Sequence, residues 1–209
     1  LTRKFGEESY WEEFYGSKNA KNCFEWFVTY KDIEPHILRH FPPAGRILHL
    51  GCGSSDVGAR LSKVCNLGGG EIVTNNNNIM EKRHTSEKIE FYCNKAQKLP
   101  FRANCIDAAL DKGTVDALIC GSKFDDAIAM VGEAHRVLKE GGVFVQITTE
   151  GPELRKDFFI EAGQRHKTPY DWESIGFSSV VVDPLVQEEQ DALECFLYIL
   201  QKKKKTPSC

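Results

Sequence analysis

Several features that would assign the chain to other classes of protein are missing from its sequence. No apolar run approaches the ~18 residues of a membrane-spanning helix, and no signal-peptide core is present. The formal net charge is only −3, so no single-sign field points to nucleic acid or to a membrane surface. We therefore expect an intracellular protein that binds neither. Because the chain begins with Leu1, an upstream targeting segment would fit, and we expect the mitochondrial matrix or the cytoplasm.

Paired cysteines and metal-ligand spacings are missing as well. None of the eight cysteines forms a C-x-x-C pair, and most lie in apolar runs, where a free thiol behaves as a small hydrophobic group. The six histidines show no metal-ligand spacing. The chain also contains no phosphate loop of the G-x-x-x-x-G-K type and no nucleophile elbow. These absences predict a reducing compartment and no metal site.

A glycine turn follows the first apolar strand of the sequence. Residues 46–50 are typical of a buried strand, and Gly51 and Gly53 stand between it and a helical stretch. Without Cβ atoms, such a turn is sharp and lets a nucleotide-like ligand lie against the main chain. The dinucleotide fingerprint G-x-G-x-x-G is incomplete, because Asp56 stands where the third glycine belongs. A tight turn without a ligand is the alternative interpretation.

Strand and helix patterns alternate up to about residue 150, which predicts an α/β fold with a doubly wound, mostly parallel sheet. The last third differs, because no clear helix separates its two strands, and we expect them to form an antiparallel pair. The predicted strands lie at 46–50, 71–74, 89–93, 105–111, 143–148, 177–183 and 193–200.

An aromatic segment precedes the first strand. It contains two stripes at the spacing of one helical face, Tyr10-Trp11-Phe14-Tyr15 and Phe27-Tyr30-Ile33-Ile37-Leu38. One interpretation is that these helices pack on the sheet. The other is that part of the segment roofs a ligand site, and neither interpretation excludes the other.

This architecture resembles the seven-stranded, Rossmann-like S-adenosylmethionine-dependent methyltransferases over residues 5–201. The shared features are Gly51-x-Gly53 after strand one and the Leu138–Gly142 segment before strand five. Three further segments resemble the methyltransferase-like group that modifies lysine on elongation factor 1A or citrate synthase: Tyr10-Trp11, Phe24-Glu25-Trp26-Phe27 and Asp111-Lys112-Gly113-Thr114-Val115-Asp116-Ala117. Residues 146–155 favour the citrate synthase enzyme, whereas Tyr10-Trp11 favours the elongation-factor enzymes.

The resemblance implies a cofactor and a set of contacts for it. The cofactor is S-adenosyl-L-methionine. The residues expected to bind it are Gly51, Cys52, Gly53, Ser54, Asn76, Asn77, Lys95, Ala96 and Asp111, with Trp26 from the aromatic segment.

It also implies catalytic residues at the end of strand four. A lysine nucleophile must arrive neutral, although its free pKa is about 10.4, so an apolar pocket or a nearby acceptor has to favour the neutral form. Asp111, Thr114 and Asp116 are the catalytic candidates, with Asp111 as the first choice for contacting the amine or the methionine end of the cofactor. The alternative is that Asp111 caps a helix and Asp116 is a solvated acid in its first turn. Glu150 either faces the same cleft or lies on the surface.

Three positions depart from the usual pattern of that superfamily. His49 replaces an acidic residue in strand one, Asn76 and Asn77 replace the ribose-binding acid after strand two, and Lys95 replaces an aspartate near the adenine. A neutral asparagine still hydrogen-bonds a ribose hydroxyl, but without charge assistance. These departures leave open a degenerate methyltransferase-like fold that serves as a binding module. A nicotinamide-dependent oxidoreductase is a weaker third interpretation, and we interpret His49 as a core histidine.

One domain accounts for the chain in this interpretation. It consists of a helical cap (1–41), a cofactor-binding core (46–148) and a substrate-side region (149–201), followed by a basic, solvated tail (202–209). The expected partner is a protein substrate, citrate synthase or elongation factor 1A. Nucleic-acid methylation is disfavoured, because the chain has no basic face beyond its tail and no N-P-P-Y or D-P-P-Y element after strand four.

Overall fold

The structure is a computed structural model and describes residues 2–16, 24–64, 69–73, 89–93, 95–182 and 193–204. The helices within these ranges are α1 (Glu8–Gly16), α2 (Tyr30–Ile37), α3 (Val57–Val64), α4 (Thr114–Cys120), α5 (Phe124–Val137) and α6 (Pro152–Arg165), with short 3₁₀ helices at Thr2–Gly6 and Leu38–His40. The strands are β1 (Ile47–Leu50), β2 (Gly69–Val73), β3 (Ile89–Cys93), β4 (Ile106–Lys112), β5 (Leu138–Thr148), β6 (Trp172–Val182) and β7 (Leu193–Lys202).

The seven strands of the described ranges form one sheet in the order β3-β2-β1-β4-β5-β7-β6. Strands β1 to β5 are parallel, and β7 lies antiparallel between β5 and β6. The predicted Rossmann-like, mostly parallel sheet is confirmed. From β1 the chain winds outward through β2 to β3 and then returns to the other side of β1 as β4. The loops after β1 and β4 therefore diverge at a crevice, where ligands bind in such sheets.

Hydrophobic side chains cover both faces of the sheet. On one face, Met130 of α5 and Phe159 of α6 are completely buried. On the other, Ile33 and Ile37 of α2 are completely buried. His49 is only 3% exposed within β1, as expected of a core histidine.

Two connections differ from the prediction. Strand β2 begins at Gly69, two residues before the predicted range of 71–74, so Gly69 and Gly70 belong to the strand. Strand β5 begins at Leu138, five residues early, because Leu138 already pairs with Ile106. The next paired residue on β5 is Val143, so the intervening glycine turn loops out of the ladder without ending the strand. The charged stretch 79–88, whose sequence predicts a helix at its start, lies outside the described residues.

Helix α6 has no counterpart among the predicted elements. Its sequence does contain start signals, because Pro152 occupies the first turn after Gly151 and Glu153 is the acidic residue of that turn. Arg155 lies on the buried side of the helix with Phe158. A charged residue at a core position interrupts the apolar stripe, and this interruption hid the helix from pattern analysis.

The basic run begins inside the fold. Lys202 is the last residue of β7, and its ammonium group donates to the backbone carbonyls of His135 and Leu138, each at 2.7 Å. A cation at the carbonyl end of α5 is favourable, because unpaired carbonyls and the helix dipole place partial negative charge there. Lys202 is therefore not the start of a solvated tail.

Candidate functional site

A cleft of about 1010 Å³ opens over the carboxyl ends of β1 and β4. Main chain at Gly51, Gly53 and Gly113 lines one side. The aromatic segment lines another with Phe5, Trp11, Tyr15, Trp26 and Phe27. The volume matches the upper end of the range of roughly 300–1,000 Å³ that is typical of small-molecule sites. The cleft therefore has room for a nucleoside-sized ligand together with part of a second molecule.

The Gly-x-Gly turn requires glycine for reasons within the protein itself. Gly51 and Gly53 have φ of 60° and 56°. A Cβ on Gly51 would collide with the Thr114 side chain, and a Cβ on Gly53 would collide with the Tyr15 hydroxyl. Thr114 Oγ1 also donates to the Leu50 carbonyl at 3.2 Å, which fixes its position against the turn. The turn is thus shaped to receive side chains from α4 and α1 as well as to line the cleft.

Substituting Gly51 with alanine should destabilise the fold. The left-handed conformation alone costs a non-glycine residue about 1–2 kcal/mol, and Thr114 would also have to move. Gly151→Ala is the matched control, because Gly151 has φ of −65° and no atom lies within 4 Å of its added Cβ. Urea unfolding of both variants measures the difference. Equal losses of stability would contradict this account of the turn.

Helix α1 and the residues around Trp26 form the roof of the cleft. Trp11 stacks on Tyr15 at 5.8 Å and meets Trp26 edge to face at 6.1 Å. Burial raises the pKa of Tyr15 to about 12, so its hydroxyl group stays protonated at neutral pH. Trp11 and Tyr15 line the cleft, so the roof interpretation applies to them. Helix α2 packs on the sheet, so the packing interpretation applies to that helix.

A buried ion pair joins the roof to the floor of the cleft. Lys112 Nζ lies 2.7 Å from Glu25 Oε2 and also donates to the Trp26 carbonyl at 3.0 Å. Glu25 further accepts from Ser55 Oγ at 2.8 Å and from the Asp56 amide at 2.9 Å. Burial alone would raise the pKa of Glu25, but Lys112 and these hydrogen bonds outweigh it and hold the pKa below 4.5. Glu25 was not among the predicted site residues, although it is an acidic residue within an aromatic run.

Apart from Asp111, the predicted cofactor contacts fall into three groups. Trp26, Gly51, Gly53, Lys95 and Ala96 line the cleft. The remaining contacts on the turn, Cys52 and Ser54, are buried beside it, and Ser54 Oγ accepts from the Phe24 amide at 3.2 Å. Asn76 and Asn77 lie outside the described residues.

Asp111, the first choice among the catalytic candidates, lies below the cleft floor and is completely buried. Its carboxylate accepts from the Thr114 amide and from Gln146 Nε2, each at 3.0 Å, and more weakly from the Val115 amide. The structure does not bring this carboxylate to the cleft, and it supports the alternative interpretation, a cap on helix α4. Burial and the charge of Asp116 raise the pKa of Asp111 to about 6.

Asp111→Ala should lower the free energy of unfolding by about 1–3 kcal/mol, because the buried donors of Thr114 and Gln146 lose their acceptor. Asp111→Asn is the matched control, since it removes the charge and keeps one acceptor oxygen for the Thr114 amide, while its new amide nitrogen can donate to Gln146 Oε1 after a flip of that side chain. With a pKa of about 6 in the native state against 3.8 ordinarily, the native protein holds the extra proton between these values. This carboxyl group therefore weakens the fold as pH rises through that window.

Urea unfolding as a function of pH separates the two variants. Asp111→Asn should abolish the pH dependence contributed by this group and remain close to the wild type in stability at pH 7. Asp111→Ala should be less stable at every pH. Wild-type stability of Asp111→Ala would rule out the capping role.

Asp116 and Glu150 are the acids that approach the cleft from the ends of β4 and β5. Asp116 Oδ1 accepts from Thr148 Oγ1 and pairs with Arg155 Nη2 at 2.6 Å. Asp116 Oδ2 is buried and has no hydrogen-bond partner among the described residues. Burial raises the pKa of Asp116, and Arg155 and Thr148 only partly offset that effect. Glu150 also lines the cleft, so of its two predicted positions, the cleft and the surface, the structure has the first.

The cleft carries more negative than positive side chains. Its described lining includes five acids, Glu7, Glu8, Asp116, Asp126 and Glu150, and three lysines, Lys95, Lys112 and Lys123. Lys112 is already neutralised by Glu25 and Asp116 by Arg155, which leaves four acids against two lysines in this lining. The field in the cleft therefore favours cationic ligands, such as a sulfonium or an alkylammonium group.

Neither a metal centre nor a membrane span emerges from the described residues. Within those ranges, no group of three or more histidine, cysteine, aspartate or glutamate side chains could hold a metal ion. No helix in the same ranges has the length and apolarity needed to cross a bilayer.

Comparison with known proteins shows which proteins the strands and loops around this cleft are similar to. The family model described as "Methyltransferase domain" matches residues 48–146. The eEF1A lysine and N-terminal methyltransferase of Danio rerio is 30% identical over 154 residues, which cover 69% of this chain and 21% of that protein. EEF1A lysine methyltransferase 4 of Mus musculus is 25% identical, with 81% of this chain and 69% of that protein covered. The chain spans only 21% to 30% of the eEF1A lysine and N-terminal methyltransferases that it matches.

Solved structures share the fold. A SAM-dependent methyltransferase of Methanosarcina mazei superposes with a TM-score of 0.60 at 16% identity, covering 82% of this chain and 98% of that one. A SAM-dependent methyltransferase of Thermotoga maritima gives a TM-score of 0.59 at 17% identity, covering 94% and 98%. The sequence match extends over the strands and loops that build the cleft floor, and the structural match extends over most of the chain. Residues 48–146 therefore match a methyltransferase domain, and the chain has the fold of S-adenosylmethionine-dependent methyltransferases.

Proposed function

We propose that the protein is a protein-lysine N-methyltransferase that acts on elongation factor 1A. The observation that carries the proposal is the position of Asp116 and Glu150, two carboxylates that line the cleft beside the Gly51–Gly53 turn. Relatives named for lysine methylation of eEF1A support this choice of substrate. Citrate synthase, which residues 146–155 favour, is the second candidate substrate.

The residues of the cleft fit the methyl donor. Main chain at Gly51 and Gly53 lies open to the cleft, with Ala96, Lys95 and Trp26 beside it. These residues would hold S-adenosylmethionine. When bound, it supplies an electrophilic methyl group on a cationic sulfur, and the excess of acids in the cleft is compatible with that charge.

The remaining requirements of the reaction fall to the protein. Methyl transfer to an amine is an in-line displacement, so the enzyme mainly aligns the nucleophile and excludes water. The roof formed by Trp11, Tyr15 and Trp26 excludes water from one side. The lysine ammonium group must lose a proton, and Asp116 is the acceptor that we assign, because it lines the cleft and Arg155 holds its Oδ1 in place.

Transfer of a labelled methyl group tests the proposal. The protein is incubated with labelled S-adenosylmethionine and either purified elongation factor 1A or purified citrate synthase, and the labelled residue is identified by mass spectrometry. Label on a lysine of elongation factor 1A supports the proposal. Label on citrate synthase alone contradicts the proposed substrate and makes citrate synthase the substrate instead. Binding of the cofactor without label on either protein would favour a binding module and contradict the proposal.

A further inference from the structure

A buried pair between α6 and α4 lies directly behind the cleft. Arg155 is 3% exposed, and its Nη2 lies 2.6 Å from Asp116 Oδ1 and 3.2 Å from Thr148 Oγ1. The guanidinium carbon of Arg155 is also 5.5 Å from the centre of the Phe158 ring. Three elements, α4, β5 and α6, thus meet at one oxygen of Asp116.

This pair serves stability poorly. Replacing a buried ion pair with packed apolar side chains is often neutral or stabilising, because both charges lose their hydration. Arg155 adds to that cost, since its Nε and Nη1 are buried and have no hydrogen-bond partner among the described residues. The arrangement uses one nitrogen of a group that carries five N–H donors. A role in holding the helices together does not account for this geometry.

The pair does control the carboxylate. The anchored oxygen is Oδ1, which leaves Oδ2 as the unpaired atom. Other titratable groups that act on Asp116 or are affected by its charge are Asp111 of β4, Glu150 after β5, and Cys195 and Tyr198 of β7. Two of these are acids, which oppose ionisation of Asp116, and Arg155 is the cation paired with it.

We propose that Arg155 is a positioning residue for catalysis: it fixes Asp116 by Oδ1 at the wall of the cleft and favours the ionised carboxylate, which accepts the proton of the substrate ammonium group. This inference rests on the proposed function for its catalytic part only. The charge coupling between Arg155 and Asp116 holds whatever the substrate is.

Carboxyl ¹³C NMR titration tests the coupling without any substrate. The Asp116 resonance is assigned by its loss in Asp116→Asn, and its titration midpoint is compared in the wild type, Arg155→Met, Arg155→Lys and Arg165→Met. Removing an opposite charge at this distance should raise the midpoint by about 1–3 pH units in Arg155→Met. Arg155→Lys keeps a cation and should stay near the wild type. Arg165→Met removes a surface arginine of the same helix and should change nothing.

Methyl transfer tests the positioning. Because the acid limb of the rate profile follows ionisation of Asp116, Arg155→Met should move that limb to higher pH by the same amount as the NMR midpoint. Arg155→Lys should leave the limb in place but lower the rate roughly 10–100-fold, since a flexible lysine does not hold Oδ1 in a fixed direction as the planar guanidinium group does. An unmoved midpoint in folded Arg155→Met, or wild-type transfer by Arg155→Lys, overturns the inference. Absence of transfer by the wild type contradicts the proposed function instead, and the NMR comparison still decides the coupling.

Discussion

Asp116→Asn is expected to lower methyl transfer to the lysine substrate by about 100-fold or more, the usual contribution of a positioned proton acceptor. The amide keeps the shape of the side chain and an oxygen for Thr148 and Arg155, but it cannot take a proton from the ammonium group. Affinity for S-adenosylmethionine should be retained, because the turn at Gly51 and Gly53 is untouched. Single-turnover transfer at saturating donor measures the chemical step.

The matched control for this loss is Asp125→Asn. The Asp125 side chain is 90% exposed and pairs with Arg165 on the surface, so the same chemical change outside the cleft should leave transfer unchanged. Thermal unfolding checks that each variant is folded at the assay temperature. Transfer by folded Asp116→Asn at the wild-type rate would contradict the assignment of the proton acceptor.

Glu25→Ala is expected to cost about 3–5 kcal/mol of stability, the largest loss that we assign to any single substitution. It leaves the Lys112 ammonium group buried, with a side chain only 2% exposed, without its carboxylate partner. The turn before α3 also loses an acceptor, because the Asp56 amide and Ser55 Oγ both donate to Glu25. Urea unfolding at pH 7 measures the loss.

Two further comparisons identify the cause. Lys112→Met added to Glu25→Ala should recover much of the stability, since no buried charge is then left unpaired. Glu161→Ala, which breaks an exposed pair with Arg165, should cost no more than about 1 kcal/mol. A loss in Glu25→Ala as small as that of the surface pair would contradict a buried pair between roof and floor.

Acidification should weaken the same contact. The pKa of Glu25 in the native state lies below its ordinary value of 4.5, so its contribution is fully present above that value and is lost as pH falls through the native pKa. Asp111 behaves in the opposite sense, because its native pKa is raised. The two carboxyl groups therefore give slopes of opposite sign in acid, and the Glu25 and Asp111 variants separate them.

Elements with a strong local pattern were predictable from sequence. The apolar residues of α5 recur at the spacing of one helical face, and β1 is a short apolar run that is typical of a buried strand. The structure has α5 at Phe124–Val137 and β1 at Ile47–Leu50. The Gly51–Gly53 turn was equally readable, because a strand followed by glycines and a helix has few other geometries. The position of the cleft was predictable as well, because ligands bind at the carboxyl ends of the strands in a parallel sheet.

Partners far apart in sequence were not predictable. Asp111 lies at the end of β4 and Asp116 in the helix that follows it. Which of the two reaches the cleft depends on Gln146 and Arg155, which lie 35 and 39 residues along the chain from their respective partners. The pairing of Glu25 with Lys112 likewise spans the first three strands. Such contacts leave no local pattern, so pattern analysis favoured Asp111, whose carboxylate the fold uses to cap α4.

Calorimetric titration with S-adenosylmethionine tests the central claim, that the cleft over Gly51 and Gly53 binds the methyl donor. The wild type is titrated beside Gly53→Ala, whose added Cβ would push Tyr15 from its position over the turn, after both are shown to be folded. The account predicts one saturable site in the wild type and clearly weaker binding in the variant. No heat at high micromolar donor, or equal binding by the two proteins, would contradict it.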